Sequence, residues 1–239
     1  MRPIAVAPRL LVQALAVAAV IYALPDSLRV LPVLPWWIER ALLFVGTLWF
    51  VNLVNFMDGI DWMTVAEVVP VTAALAAIGL VDTLPPQAIA ASLALCGAMI
   101  GFAYFNRPVA RLFLGDVGSL PIGLVLGWLL IVLAGSGGRA AALLLPLYYV
   151  ADSTITLLRR FIAREKVWEA HRSHFYQRAT DRGFTAIDVV RRVFFVNLVL
   201  AALALLTVMR PGHAIDAGAL LLGSALVAWL LVSFTRGKK

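Results

Sequence analysis

This sequence predicts an all-α fold: a polytopic bundle of about eight membrane helices forming a single domain over residues 1–239. Three observations predict it. Hydrophobic residues make up 62% of the chain and charged residues only 14%, with a mean hydropathy of +0.94. Apolar runs of about 17–20 residues, the length that crosses a bilayer core, recur along the whole chain. Helix breakers separate them: Pro25, Pro32 and Pro35, then Pro85-Pro86, then Gly135-Ser136-Gly137-Gly138, then Pro211-Gly212.

The first span, Leu10–Leu24, follows Arg2 and Arg9. It has the form of a signal peptide, but membrane segments continue behind it, so it reads as a retained helix. The second, Ile38–Leu53, begins beside Trp36 and Trp37, residues that suit the membrane–water boundary. Ala66–Val81 and Gln87–Tyr104 lie either side of the proline pair. Leu120–Ala134 and Ala140–Leu158 are parted by the glycine-rich turn, and Phe194–Met209 and Ala217–Phe234 by Pro211-Gly212. Cys96, the single cysteine, lies within an apolar run and allows no intrachain disulfide.

A net charge of +7 invites a nucleic-acid reading. The distribution argues against nucleic acid as a partner, because the basic residues flank the apolar runs as topology signals do. With the N-terminus inside, sixteen of the twenty Lys and Arg fall on one side and only Arg29, Arg40, Arg139 and Arg210 on the other. The positive-inside rule makes the richer side cytoplasmic. The same assignment puts three polar loops on that face.

The first loop is Asn52-Leu53-Val54-Asn55-Phe56-Met57-Asp58-Gly59-Ile60-Asp61, with a polar side chain at every third position where an apolar run ends. Carboxamides and carboxylates together suit hydrogen bonding to a nucleotide or sugar, or oxygen ligation of a hard cation. The structural alternative is an Asp-Gly turn with capping asparagines. The second loop runs from Phe105-Asn106-Arg107-Pro108 to Phe113-Leu114-Gly115-Asp116-Val117-Gly118-Ser119 and leads into the fifth span. An aspartate among glycines at a helix N-terminus can hold Mg²⁺ against phosphate oxygens, with Arg107 and Arg111 neutralising charge. The alternative is Asp116 or Ser119 serving as a helix cap. The third loop, from Arg159-Arg160 through Lys166 and His171-Arg172-Ser173-His174 to Arg178, is the most basic. Two histidines do not close a zinc site, and among arginines a phosphate or pyrophosphate is the expected partner. A basic patch on anionic lipid is the alternative. Asp152, inside the sixth span, should face the interior and have a partner there.

The three loops together resemble the polyprenyl-phosphate N-acetylhexosamine-1-phosphate transferases. Asn52–Asp61 is similar to that family's Asn-x-x-Asn-x-x-Asp-Gly-x-Asp-Gly element, with Trp62 standing where a glycine usually follows. Phe105–Ser119 is similar to its Gly-Asp-x-Gly-Ser element, and Asp152, Arg159-Arg160 and His171–Gln177 to its late Asp…Arg-Arg…His-x-x-His region. The family also has an earlier loop with adjacent aspartates, and Met1-Arg2-Pro3-Ile4 resembles the residues just after it. The expectation is that Met1 is an internal methionine or that the gene is truncated there, and the upstream reading frame decides which.

The resemblance implies transfer of a sugar-1-phosphate from a UDP-sugar to undecaprenyl phosphate, with loss of UMP. It implies a place in the inner (plasma) membrane and a role in cell-envelope polysaccharide synthesis, lipopolysaccharide included. Asp116 is the expected metal ligand, for Mg²⁺ or Mn²⁺. Asp58, Asp61, Asn52 and Asn55, with Asn106 nearby, are expected to position the nucleotide-sugar. His171, Arg172 and His174 are expected to hold phosphate. Membrane lipid and a second copy of the chain are the remaining expected partners. A reading of a different class is an inactive relative that binds polyprenyl phosphate or a partner transferase. A transporter ranks last, because its polar site would lie at mid-membrane among broken helices.

Overall fold

The computed structural model describes residues 6–81, 84–166 and 171–238, so Arg2, the Met1–Ile4 stretch and the third loop's residues 167–170 lie outside the described residues. The described chain is entirely helical between its loops. The elements are α1 (Val6–Ala23), α2 (Trp36–Met57), α3 (Met63–Gly79), α4 (Pro86–Phe105) and α5 (Gly115–Gly135), then α6 (Arg139–Leu144), α7 (Leu147–Ile162), α8 (Phe175–Asp181), α9 (Ala186–Met209) and α10 (His213–Arg236). Five of these, α2, α4, α5, α9 and α10, are long and apolar enough to cross a membrane, and α1 and α3 are shorter apolar helices. The chain is a multi-pass membrane bundle.

The expected sixth span is the one that differs. It divides into α6 and α7 at Leu145-Pro146. Proline lacks an N–H and its ring blocks the preceding turn, so a helix breaks there even within an apolar run. Below the break, α7 is inside out. Its buried face is Tyr148, Tyr149, Asp152, Ser153, Thr156 and Arg160 with one leucine, Leu157, while Leu158, Phe161 and Ile162 point outward together with Thr154 and Arg159. A helix in water would reverse this pattern; one between lipid and a polar interior requires it. The short α8 was not foreseen at all.

Nearly all of α3 is buried, because α4 and α9 pack against it. A close helix approach lies between α2 and α5. A Cβ on Gly123 would lie 3.0 Å from the Val51 Cα, and one on Gly127 would lie 3.2 Å from the Thr47 methyl. Two small residues four apart let backbones meet in lipid, where dispersion replaces the hydrophobic effect as the driving force. That seam fixes the end of α2 against the start of α5.

Candidate active site

The seam sets the first contact of the site. Asn55, one turn from the end of α2, donates from Nδ2 to Asp116 Oδ1 at 2.9 Å and to Ser119 Oγ at 2.8 Å. The other Asp116 oxygen takes the Arg9 guanidinium of α1 at 2.7 Å. The Asp116 side chain stays 48% exposed. The capping alternative for this loop is not realised: Leu114 occupies the cap of α5 without a side-chain bond, and Ser119 Oγ donates back to Gly115 O. Gly115 takes the left-handed φ of +56° that glycine adopts without strain. Asn52 donates to Leu48 O at 2.8 Å, so its NH₂ is turned to its own helix.

Asp58 caps the C-terminus of α2 and accepts the Thr64 hydroxyl at 2.5 Å. Burial pushes its carboxyl above the usual range, and the Thr64 bond offsets this only in part. Asp61 accepts the Ala110 N–H at 3.0 Å, which ties the first loop to the second. Trp62 completes the tie: its backbone N–H reaches Asn106 Oδ1 at 2.8 Å and its indole N–H reaches Ala103 O at 2.7 Å. Trp62 has φ +66°, a left-handed conformation costly for an aromatic residue and free for glycine. This explains why glycine suits the position and what holds tryptophan there instead. Asn106 also donates to Leu112 O, so both ends of its amide serve the loop.

The third loop is anchored by Asp152. Fully buried, it accepts the N–H groups of Phe175 and Tyr176 at 3.0 and 3.2 Å, the Tyr148 hydroxyl at 3.2 Å and the Thr156 hydroxyl at 3.4 Å. His174 Nδ1 lies 3.2 Å from the same carboxylate and donates to it. His174 is thus 98% enclosed, with 2% of its surface exposed. Tyr176 then reaches across to Phe56 O at 3.1 Å. Gly59 is the reason it can: any Cβ there would overlap the Tyr176 hydroxyl. The third loop therefore docks on the first at its Asp-Gly turn.

His171 stacks on His174 with centroids 4.9 Å apart. The Ser173 N–H points at its Nδ1 from 3.3 Å and the Ser173 hydroxyl from 2.7 Å, which puts the ring proton on Nε2. Burial lowers its pKa to about 4, helped by His174 and Arg160 and opposed by Glu165. His171 is thus a neutral N–H donor near pH 7. Arg172 is exposed beside Tyr176, with no ion pair among the described residues.

A family model described as glycosyl transferase family 4 matches residues 1–134, more than half of the chain. The chain belongs to glycosyl transferase family 4. This is the family of polyprenyl-phosphate hexosamine-1-phosphate transferases that the three motifs resemble. The chain is 33% identical to a phospho-N-acetylmuramoyl-pentapeptide-transferase of Rhodopseudomonas palustris strain BisB18, over 83% of this chain and 62% of that protein. A protein of the same name from strain BisA53 is 32% identical, over 65% of this chain and 47% of its own length. One from Psychrobacter cryohalolentis is 29% identical, over 65% and 45%. The chain thus spans about half to three-fifths of the length of these relatives. The family match contains the first two loops of the site; Asp152 and the histidine loop lie beyond it.

This family 4 chain brings all nine sequence-predicted residues to one end of the bundle. It divides them by exposure to a ligand. Asp58, Asp61, Asp116, Asn55, His171 and Arg172 retain accessible surface, whereas Asn52 is turned to its own helix and Asn106 and His174 are buried in the loops they brace. Sequence reasoning used Arg9 only as a topology signal and missed its bond to Asp116; the available clue was that both residues fall on the same predicted face. It also missed Thr64 and Tyr176, which carry no charge pattern to mark them. Among the described residues no group of three or more His, Cys, Asp or Glu could cage a metal. Asp116, a half-exposed carboxylate, could take part in holding a hard divalent cation only where phosphate oxygens and water complete the shell, the manner in which Mg²⁺ is commonly bound.

Proposed function

We propose that this chain transfers a sugar-1-phosphate, an N-acetylhexosamine phosphate by class, from a UDP-sugar to undecaprenyl phosphate. A lipid phosphate oxygen forms a bond to the sugar-linked phosphorus, the bond from that phosphorus to UMP breaks, and UMP leaves with the electron pair. The observation that carries this reading is Asp116: a half-exposed carboxylate braced on one side by Asn55 and on the other by Arg9, at the edge of an apolar bundle. Homologues acting in membranes on a phospho-N-acetylmuramoyl substrate support the same class.

The residues act mainly by placement and charge, the dominant contributions to phosphoryl transfer. Asp116 would hold Mg²⁺, with Mn²⁺ as a substitute; the cation, when bound, screens the diphosphate charge. Asp58, with its raised affinity for a proton, and Asp61 accept hydrogen bonds from the nucleotide-sugar, and Asn55 holds Asp116 in line. His171 donates its Nε2–H to a phosphate oxygen, and Arg172 supplies the positive charge that a neutral imidazole lacks. Asn52, Asn106 and His174 position these groups. The motif loops face the cytoplasm of a bacterial inner membrane, where one substrate arrives from water and the other from lipid.

The test is UMP release by the purified chain in nanodiscs with UDP-GlcNAc and undecaprenyl phosphate. We expect Mg²⁺-dependent release by the wild type and a loss of about a thousandfold in Asp116→Asn. Undiminished release by a folded Asp116→Asn protein removes Asp116 from the metal site. Retention of undecaprenyl phosphate without any UMP release, by this chain and by an upstream-extended form alike, overturns the transferase reading in favour of a binding protein.

A further inference from the structure

A second built site lies at the opposite end of the bundle, between α1 and α2. There a groove of about 750 Å³ opens, its walls made by Ala18 and Ile21 of α1 and Phe44 of α2. Two charged residues, Arg40 and Asp26, line it. Arg40 is only 7% exposed. Its Nη2 donates to Pro25 O at 2.6 Å and to Leu28 O at 3.4 Å, and its guanidinium sits 5.4 Å from the Trp36 ring centroid. Its Nη1 is buried without an acceptor among the described residues. Among the described residues no carboxylate pairs with it. The adjacent Glu39 is taken up by Arg29 and by the N–H groups of Val30 and Leu31, and Asp26 is exposed and forms no ion pair among the described residues.

A buried guanidinium that meets only carbonyl dipoles is short of both an acceptor and a countercharge. A phosphate supplies both. The unpaired Asp26 in the same groove adds a requirement for a cationic donor. A ligand carrying both a phosphate and an ammonium satisfies the two together. Exposed Tyr22 and Trp36 line the groove, and Trp37 follows in the chain, aromatic residues of the kind found at headgroup level. The apolar walls suit the upper part of an acyl chain.

We propose that this groove binds the phosphoethanolamine headgroup of a membrane glycerophospholipid, Arg40 taking the phosphate and Asp26 the ammonium. The site is remote from Asp116 and does not depend on the transferase reading. Native mass spectrometry of the intact chain released from nanodiscs of mixed phosphatidylethanolamine, phosphatidylglycerol and phosphatidylcholine tests it. The wild type should retain phosphatidylethanolamine preferentially. Asp26→Asn, a change at an exposed position that leaves the fold intact, should reduce that preference about threefold, as expected for one exposed ionic contact. Arg40→Gln should lower retention of all three lipids by about tenfold, and Ala41→Leu should block the groove while both charges remain. Equal retention of the three lipids overturns the proposal. So does a preference for phosphatidylglycerol, which marks a simple anion site. Displacement by equimolar glycerophosphoethanolamine also overturns it, because the ligand is then a soluble headgroup rather than a lipid.

Discussion

Glu39, at the end of the bundle away from the site, and the aspartates of the first two loops are held in opposite ways. Away from the site, Glu39 is 1% exposed and has its oxygens filled by Arg29, the Val30 N–H at 2.5 Å and the Leu31 N–H at 3.0 Å. It closes the α1–α2 loop and has nothing left to offer a ligand. At the site end, Asp58 accepts one hydroxyl, Asp61 one backbone N–H, and Asp116 one amide and one guanidinium. A carboxylate has room for about four donors, so these three keep acceptor capacity in reserve. Asp152 shows that the distinction follows filling rather than location. It sits near the active loops yet takes four hydrogen bonds besides the His174 contact, and it serves only to hold them.

If filling separates structural from reactive acids, single substitutions should split activity from stability. The largest effect is expected at Asp116, where Asn removes transfer about a thousandfold yet shifts folding by less than about 1 kcal/mol, since its ion pair is exposed. Asp152→Asn should do the reverse. It turns an NH₂ toward donors and leaves at least one unpaired, at a cost of about 1–3 kcal/mol that a melting curve in detergent would register. A melting loss in Asp116→Asn as large as that in Asp152→Asn would break the comparison. Next in size is Gly59→Ala, which forces the Tyr176 ring off Phe56 and should cost about 1–3 kcal/mol. Adding Tyr176→Phe should recover part of that loss, because the hydroxyl oxygen, 2.0 Å from the new Cβ, is the main obstacle and the ring carbon behind it lies at 3.0 Å.

The smallest effect concerns pH. His171 has its pKa lowered from 6.5 to about 4, so the folded state prefers it neutral. Its contribution to stability is full above pH 6.5 and is lost as the pH falls from there toward 4. Asp58, raised above 3.8, works the other way and favours the folded state on acidification. The melting temperature of His171→Gln should therefore decline less between pH 6.5 and 4 than that of the wild type. An identical decline would mean that His171 is not enclosed.

The apolar runs announced α1 to α5 and α10 to within about five residues. They announced the end of α9 but not its start, which lies eight residues before the expected Phe194, at Ala186 in a more polar stretch. A membrane imposes length and polarity only on the part of a helix inside it. The polar residues of the site were equally visible, since nothing but function or a partner retains them at such an edge. The pairings were not. Arg9 meets Asp116 across 107 residues and Tyr176 meets Phe56 across 120, and no local pattern records contacts at that range. Pro146 is different: the break it makes was written in the sequence and was read through because the run around it stayed apolar. Trp62 could be seen as a departure from the family's glycine, but only its backbone angle explained the departure.

The inverted polarity of α7 bears on how the protein is made. A segment that turns Asp152 and the hydroxyls of Tyr148, Tyr149, Ser153 and Thr156 to one side has no stable residence alone among acyl chains. It must wait at the translocon until the surfaces that receive it exist. The motif-bearing end is then completed only after α7 and the histidine loop behind it have been made, and until then Asp152 lacks the partners that fill it.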